Sequence, residues 1–177
     1  MRLNLTRLQK IAVTGLFAAL IYVGVFSLRF PLPAIVGRPF IHFGNLLTAL
    51  AVLMLGFRAG AVAGVIGLGG FDLLNGYAAT SWLTMIEAII FAAVLTLVDR
   101  MTRGNDVVVG ICGGITKIIT SYLVGVVESL MIGTALSTAM TAALFSLTAA
   151  VANAIFLAIL LPICCWGLKR LRHHGRF

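Results

Sequence analysis

Ionisable and polar side chains occur within or beside apolar stretches of this 177-residue chain, where they are costly to place and become functional candidates. Carboxylate, amide and imidazole groups can hydrogen-bond hydroxyl and amine substituents, and aromatic rings can stack on a flat heterocycle. The residues of this kind that we expect to line a binding site are His42, Asn45, Asp72, Asn75, Tyr77, Trp82, Glu87, Lys117 and Glu128. Their agreement in type and position predicts a polar binding pocket.

Several of these residues also fit a purely structural role. Asp72 could cap a helix end beside Asn75, and Glu87 and Lys117 could neutralise one another as a buried pair. Three others would also fit as anchors at a membrane interface, namely His42, Trp82 and Glu128.

Motifs for catalysis or metal binding are absent from the sequence. It contains no His-Glu-x-x-His, no Gly-x-Ser-x-Gly and no phosphate-binding Gly-x-x-x-x-Gly-Lys-Ser/Thr. The three cysteines, Cys112, Cys164 and Cys165, lie in apolar runs and fit small packing residues. We therefore predict no catalytic residue, no metal and no cofactor, and we expect that the chain cannot hydrolyse ATP by itself.

The composition indicates an integral membrane protein. Hydrophobic residues make up 61% of the chain and charged residues only 10%, too few to cover the surface of a soluble domain. The net charge of +8 comes from basic residues at the ends of apolar segments, which argues against a nucleic-acid interface. The expected fold is all-α, with residues 1–177 forming a single membrane domain.

Six spans are predicted, each long or apolar enough to enter the bilayer. Their approximate ranges are 8–28, 41–55, 59–74, 82–98, 107–128 and 139–167. With six spans, ten Lys and Arg residues fall on the side of the two termini and only Arg29 and Arg38 on the other, while Lys117 lies inside a span. The positive-inside rule then places both termini in the cytoplasm.

This topology brings the acidic groups to a similar depth. Asp72 lies near the outer end of the third span, Glu87 one or two turns into the fourth, and Glu128 near the outer end of the fifth. Lys117 is near the middle of the membrane. The pattern predicts a polar pocket open to the outside, because a continuous pore would need polar groups at every depth.

Two further segments have a predicted role. The connection between the first two spans contains Pro31, Pro33 and Pro39, which exclude a continuous helix. In the first span, the pairs Thr14/Ala18 and Gly15/Ala19 place small residues four apart, a spacing that allows close approach of another helix. That helix belongs either to this chain or to a partner protein.

Three stretches in the middle of the chain resemble the S components of energy-coupling factor (ECF) transporters. They are PFIHFGNL at 39–46, LGFRAGAVAG at 55–64 and DLLNGY at 72–77. Where the related branch often begins the fourth span with an Ala-Pro-Phe-Thr-like segment, this chain has Thr80-Ser-Trp-Leu-Thr84. The motif stretch covers roughly residues 39–98, and the length and span count agree over the whole chain.

The resemblance implies a mechanism and partners. An S component binds a water-soluble vitamin at its outer face, then joins a transmembrane coupling subunit that is driven by two cytoplasmic ATPases. The first loop acts as a lid, which here would include Arg29, Pro31, Pro33, Arg38 and Pro39. A small-residue face on the first span contacts the coupling subunit, and the candidates here are Thr14, Gly15, Ala18 and Ala19. The setting would be the cell membrane of a bacterium.

The acidic and amide groups favour a pyridoxine-like or hydroxymethylpyrimidine-like ligand, with pantothenate and riboflavin as alternatives. Pantothenate would require a cation, which Arg29, Arg38 or Lys117 could supply. Two alternatives belong to other classes: a structural membrane scaffold, which needs no converging polar groups, and a small transporter or channel that works alone.

Overall fold

The computed structural model describes residues 3–27, 29–31, 40–145 and 147–173. Helices dominate because an apolar segment in a bilayer must satisfy its backbone hydrogen bonds internally. The helices are α1 (Arg7–Ser27), α2 (Gly44–Leu55), α3 (Phe57–Gly64), a π-helical segment (Val65–Gly69), α4 (Gly70–Leu74), α5 (Ser81–Met101), α6 (Asp106–Met131), α7 (Leu136–Phe145) and α8 (Leu147–His173). An all-α membrane protein is the correct class, and the structure adds one short β-ribbon to it.

The ribbon joins α1 to α2. Its strands, β1 (Arg29–Pro31) and β2 (Phe40–His42), are antiparallel, with Arg29 opposite His42 and Pro31 opposite Phe40. The two ends of the proline-rich connection are therefore tied together beside the start of α2. The remaining predicted lid residues, Pro33, Arg38 and Pro39, lie outside the described residues.

Five helical stretches are long and apolar enough to cross a membrane within the described ranges. The predicted span at 41–55 corresponds to α2, whose 12 residues extend only about 18 Å against a hydrocarbon core of about 30 Å. The predicted span at 139–167 overlaps two described helical stretches, α7 and α8, and residue 146 between them lies outside the described residues. The six-span count and the cytoplasmic termini remain predictions.

A sharp reversal between α2 and α3 brings two polar segments to the same end of the helix bundle. Gly56 adopts a φ of 86°, a conformation that favours glycine, and its N–H still bonds the Val52 carbonyl at 2.9 Å. One turn later, Gly60 packs so closely that an added Cβ would lie 2.5 Å from the Val52 Cα. Helix α2 starts beside His42, and the return path through α3 and α4 ends at Asp72.

The interior consists of two apolar clusters, and the lipid-facing surface is also apolar. One cluster contains Phe91, Leu95 and Leu157 from α5 and α8, and the other is built around Ile21 and Phe71. Along α6, exposed residues recur every fourth position at Ile111, Ile115, Ile119 and Leu123. Such a stripe is what a helix presents to lipid, whereas the opposite face of α6 packs along α8 and α5.

Candidate ligand-binding site

A buried ion pair joins α5 to α6. The Lys117 Nζ lies 2.7 Å from the Glu87 Oε2, and each side chain is only 11% exposed. The Thr120 hydroxyl donates to the other carboxylate oxygen, Oε1, at 2.5 Å, and the Ser121 hydroxyl lies 3.3 Å from the same atom. Because Lys117, Thr120 and Ser121 are spaced by three and four, they share one face of α6. That face surrounds Glu87 with one cation and two donors.

Two further carboxylates lie close to this pair. Thr84, one turn before Glu87 on α5, lies near the Asp72 carboxylate, and the charges of Glu87, Lys117 and Glu128 all act on Asp72. Thr80 likewise lies near the Glu128 carboxylate. We call Asp72, Glu87, Lys117 and Glu128 the polar cluster. It contains three carboxylates and one ammonium, so acid is in excess.

His42 connects the β-ribbon to this region. Its backbone N–H donates to the Asn153 Oδ1 of α8 at 3.1 Å, and the Gly44 N–H donates to the His42 Nδ1 at 3.1 Å. An Nδ1 that accepts a hydrogen bond carries no proton, so the imidazole is neutral with its hydrogen on Nε2. His42 lies in β2, outside the spanning helices. Its pKa is lowered to about 3, chiefly by burial and secondly by the charge of Lys117.

An aromatic group lies at the end of α4. The rings of Tyr22 and Phe71 meet edge to face at 5.9 Å, and Phe71 stacks with Tyr77 at 6.3 Å. The Asn75 amide donates to the Phe71 carbonyl at 2.8 Å and contacts the Tyr22 hydroxyl at 3.4 Å. Asn75 thus fastens the helix end to α1. Trp82, in the first turn of α5, is 46% exposed.

The structure brings together most of the residues chosen from the sequence. Asp72, Glu87, Lys117 and Glu128 share one electrostatic environment, and the charge of Lys117 also reaches His42. Asn45 lies buried in the first turn of α2. Asn75 and Tyr77 belong to the aromatic group, and Trp82 opens α5. Of the lid residues, Arg29 and Pro31 lie in β1.

Sequence reasoning missed several polar residues that lie beside the selected ones. Thr84 and Thr80 lie near Asp72 and Glu128, and the Tyr22 hydroxyl contacts Asn75. The Asn153 side chain accepts from the His42 N–H, and Thr120 and Ser121 contact Glu87. The signal for Thr120 and Ser121 was their spacing from Lys117. The signal for Asn153, which is buried, was an amide within an otherwise apolar run.

The small residues of α1 divide between two faces. Ala18 is buried, and its carbonyl oxygen would be 2.8 Å from a Cβ added to Gly67. The Thr14 hydroxyl bonds the Lys10 carbonyl at 2.7 Å within the helix. Gly15 and Ala19 are exposed, and a Cβ added at Gly15 would meet nothing within 4 Å. Of the two pairs, Gly15/Ala19 is therefore the one that another molecule can reach.

No group of three or more potential metal ligands comes together among the residues that the structure describes. Within the described ranges, the site contains hydrogen-bonding side chains, one ion pair and neighbouring aromatic rings.

Comparison with known proteins identifies the family. A family model described as "ECF-type riboflavin transporter, S component" matches residues 6–170, almost the whole chain. No curated protein and no solved structure matched the chain. The family consists of non-catalytic, vitamin-specific membrane subunits, in agreement with the apolar helices and the three sequence motifs. The chain therefore belongs to the family of S components of ECF-type riboflavin transporters, and it is a vitamin-specific, substrate-binding subunit of an ECF transporter.

Proposed function

We propose that this chain captures a hydroxyl-rich heterocyclic vitamin in the polar cluster, at the outer face of a bacterial cell membrane, and that riboflavin is its first candidate ligand. A coupling subunit and two cytoplasmic ATPases would then drive release to the inside. The observation that carries the proposal is the excess of carboxylates over ammonium groups in the cluster. Carboxylates accept hydrogen bonds from hydroxyl groups, and a ribityl chain offers several such donors.

Riboflavin is favoured by the name of the matching family. Its flat ring system also suits aromatic neighbours, which here are Tyr22, Phe71 and Tyr77. In this arrangement the ring would lie near the aromatic group and the hydroxyl chain would meet the carboxylates.

A pyridoxine-like or hydroxymethylpyrimidine-like vitamin is the second candidate, and the same acid excess favours it. A ring nitrogen or amine that gains a proton in the site would offset part of the negative charge of Asp72 and Glu128. Pantothenate is disfavoured because it is an anion and the Lys117 ammonium is already paired with Glu87.

Residues 29–40 would close over the ligand as a lid. The pairing of β1 with β2 fixes both ends of this segment, and the bond from the His42 N–H to Asn153 ties the ribbon to α8. A lid fixed at both ends loses less conformational entropy on closure than a free loop. Replacing residues 32–39 by a Gly/Ser linker of equal length should therefore raise the ligand dissociation rate without affecting membrane insertion.

The test is a titration of purified, ligand-free protein with riboflavin, pyridoxine, hydroxymethylpyrimidine and pantothenate, monitored by flavin or tryptophan fluorescence. We expect saturable binding of one neutral or cationic vitamin, and at least a tenfold loss of affinity in Glu87→Gln. The matched control is Asp99→Asn, which removes a carboxylate at the far end of α5 and should leave affinity unchanged.

Two outcomes would contradict the proposal. Folded, ligand-free protein that binds none of the four compounds would favour a structural scaffold. Sustained vitamin uptake by the protein alone in liposomes would favour a self-contained transporter.

A further inference from the structure

An open groove runs along the surface between α3 and α5, and none of its lining residues belongs to the polar cluster. Its volume is about 410 Å³, and its lining includes Phe57, Val62, Val65, Ile66 and Ile89. Phe57, Val62, Ile66 and Ile89 each have between 38% and 56% of their surface exposed. In a membrane protein these side chains face lipid, so a groove lined by them will accommodate apolar groups such as acyl chains.

The length of the groove is close to the hydrocarbon thickness of one membrane leaflet. Its lining on α3 and the π-helical segment extends from Phe57 to Ile66, nine residue steps or about 13 Å at 1.5 Å per residue. Half of a hydrocarbon core of about 30 Å is about 15 Å. An acyl chain that begins at the Phe57 end would therefore lie within the groove through most of its leaflet.

A cation stands at the same end of the groove. Arg58 lines it and is exposed. All five acidic side chains lie in the described ranges, and the two ion pairs found there, Lys117–Glu87 and Lys169–Asp106, do not involve Arg58. A guanidinium at the end of an apolar groove complements a phosphate attached to an acyl chain.

We propose that this groove is a binding site for an anionic phospholipid, with the phosphate on Arg58 and one acyl chain between α3 and α5. A helix of a protein partner is a poorer fit, because the groove is lined by seven residues and a stable protein interface uses roughly 20–30 on each side. The proposal depends on the groove and on Arg58, and it holds whichever vitamin the polar cluster takes.

Native mass spectrometry of the full chain in neutral detergent tests the proposal. The probes are phosphatidylglycerol and phosphatidylcholine with identical acyl chains. We expect phosphatidylglycerol to be retained about fivefold more, as one basic residue near the surface supplies. Arg58→Gln should abolish this preference, whereas Arg100→Gln, which removes an exposed cation from the last turn of α5, should preserve it.

The acyl-chain position is tested separately. Val62→Trp fills the groove without changing charge and should reduce retention of both lipids, whereas Ile111→Trp, at a position equally exposed on α6, should not. A phosphatidylglycerol with a photoreactive acyl chain should label peptides that contain Val62, Ile66 or Ile89. Equal retention of both lipids by the unmodified chain, an equal effect of Arg100→Gln, or full retention by Val62→Trp would each overturn the proposal.

Discussion

Glu87 and Lys117 form a buried ion pair. Once the helices are packed, each charge is stabilised by the other. Both side chains are almost fully buried, and the hydroxyls of Thr120 and Ser121 satisfy the second carboxylate oxygen. Removing one partner of such a pair leaves an unpaired charge in a medium that solvates it poorly. Removing both charges together avoids that cost.

Lys117→Met is expected to lower the free energy of unfolding by about 3 kcal/mol. The double variant Glu87→Gln/Lys117→Met should recover most of this stability but not ligand affinity, since a ligand would still lack the carboxylate. Thermal unfolding in detergent micelles measures the first effect and vitamin titration the second.

The control for this prediction is the second ion pair, between Lys169 and Asp106. The Lys169 side chain is 43% exposed, so Lys169→Met should cost less than about 1 kcal/mol. A Lys117→Met variant that is no less stable than Lys169→Met would contradict the assigned importance of the buried pair.

The neutral His42 predicts a specific dependence of stability on pH. Its pKa falls from an ordinary 6.5 to about 3, so between these values the unfolded chain binds a proton that the folded chain does not. The free energy of unfolding should therefore decrease as the pH falls from 6.5 toward 3. His42→Asn, whose amide oxygen can still accept from the Gly44 N–H, should show a smaller decrease between pH 7.5 and 5.0.

Thermal unfolding at the two pH values, measured on both proteins, checks this prediction. Identical pH dependence in the two proteins would show that protonation of His42 does not contribute. Ligand-free samples are required, because a bound vitamin would add its own pH dependence.

At this scale the sequence identifies charged residues better than their neutral partners. Asp72, Glu87 and Lys117 are conspicuous because charges inside apolar runs are rare. Thr120 and Thr84 carry no comparable signal, since hydroxyl residues are common in membrane helices and often bond their own backbone, as Thr116 does with the Cys112 carbonyl. Which hydroxyl faces a carboxylate depends on the rotation of each helix, and hydropathy does not give that rotation.

At the scale of elements, the close contact of α2 and α3 depends on a missing side chain. Gly60→Ala would place a Cβ 2.5 Å from the Val52 Cα and 2.7 Å from its backbone nitrogen, and backbone atoms cannot move aside cheaply. We expect a loss of about 1–3 kcal/mol in unfolding free energy.

Gly70→Ala is the matched control, on the same helical stretch. A Cβ there meets nothing within 4 Å, and the residue has an ordinary helical φ of −64°. This substitution should be neutral or raise stability by up to about 1 kcal/mol through helix propensity. Equal melting temperatures for the two variants in detergent would contradict the packing described for α2 and α3.

Helix positions were predictable where polar residues mark both ends. The predicted span 82–98 is close to α5, and the predicted span 107–128 is close to α6, which begins where the Asn105 side chain accepts from the N–H groups of Val107 and Val108. The β-ribbon was not predicted, because three residues on each strand are too few to show an alternating pattern.

At the scale of the whole molecule, the exposed face of α1 is where the coupling subunit is expected to bind. Ala19→Leu would add bulk where small residues allow close approach, so it should block co-purification with the coupling subunit and leave vitamin affinity intact. The control is Ala93→Leu on the exposed face of α5, which should affect neither property.

An Ala19→Leu variant that loses vitamin binding as well would show that this face belongs to the fold of the subunit. Ala18→Leu is not a suitable alternative, because Ala18 is buried against the π-helical segment and a larger side chain there would disturb the core.

The overall class was predictable because composition alone excludes a soluble domain. The three motifs at 39–46, 55–64 and 72–77 indicated the family, and the family match over residues 6–170 agrees with them. The vitamin was not predictable, since carboxylates and amides accept hydrogen bonds from many hydroxylated ligands. The prediction that the polar cluster opens to the outside depends on the distribution of basic residues.

The π-helical segment Val65–Gly69 determines in which direction around the helix axis the side chains of α4 project. A π-turn holds one residue more than an α-turn. If these residues wound as an α-helix, α4 would rotate by about 100° and rise about 1.5 Å, carrying Asp72 away from Thr84 and Phe71 out of the core. Deleting one residue from a helix ordinarily rotates all later side chains, but within this segment the deletion would convert π to α winding and leave Asp72 in phase.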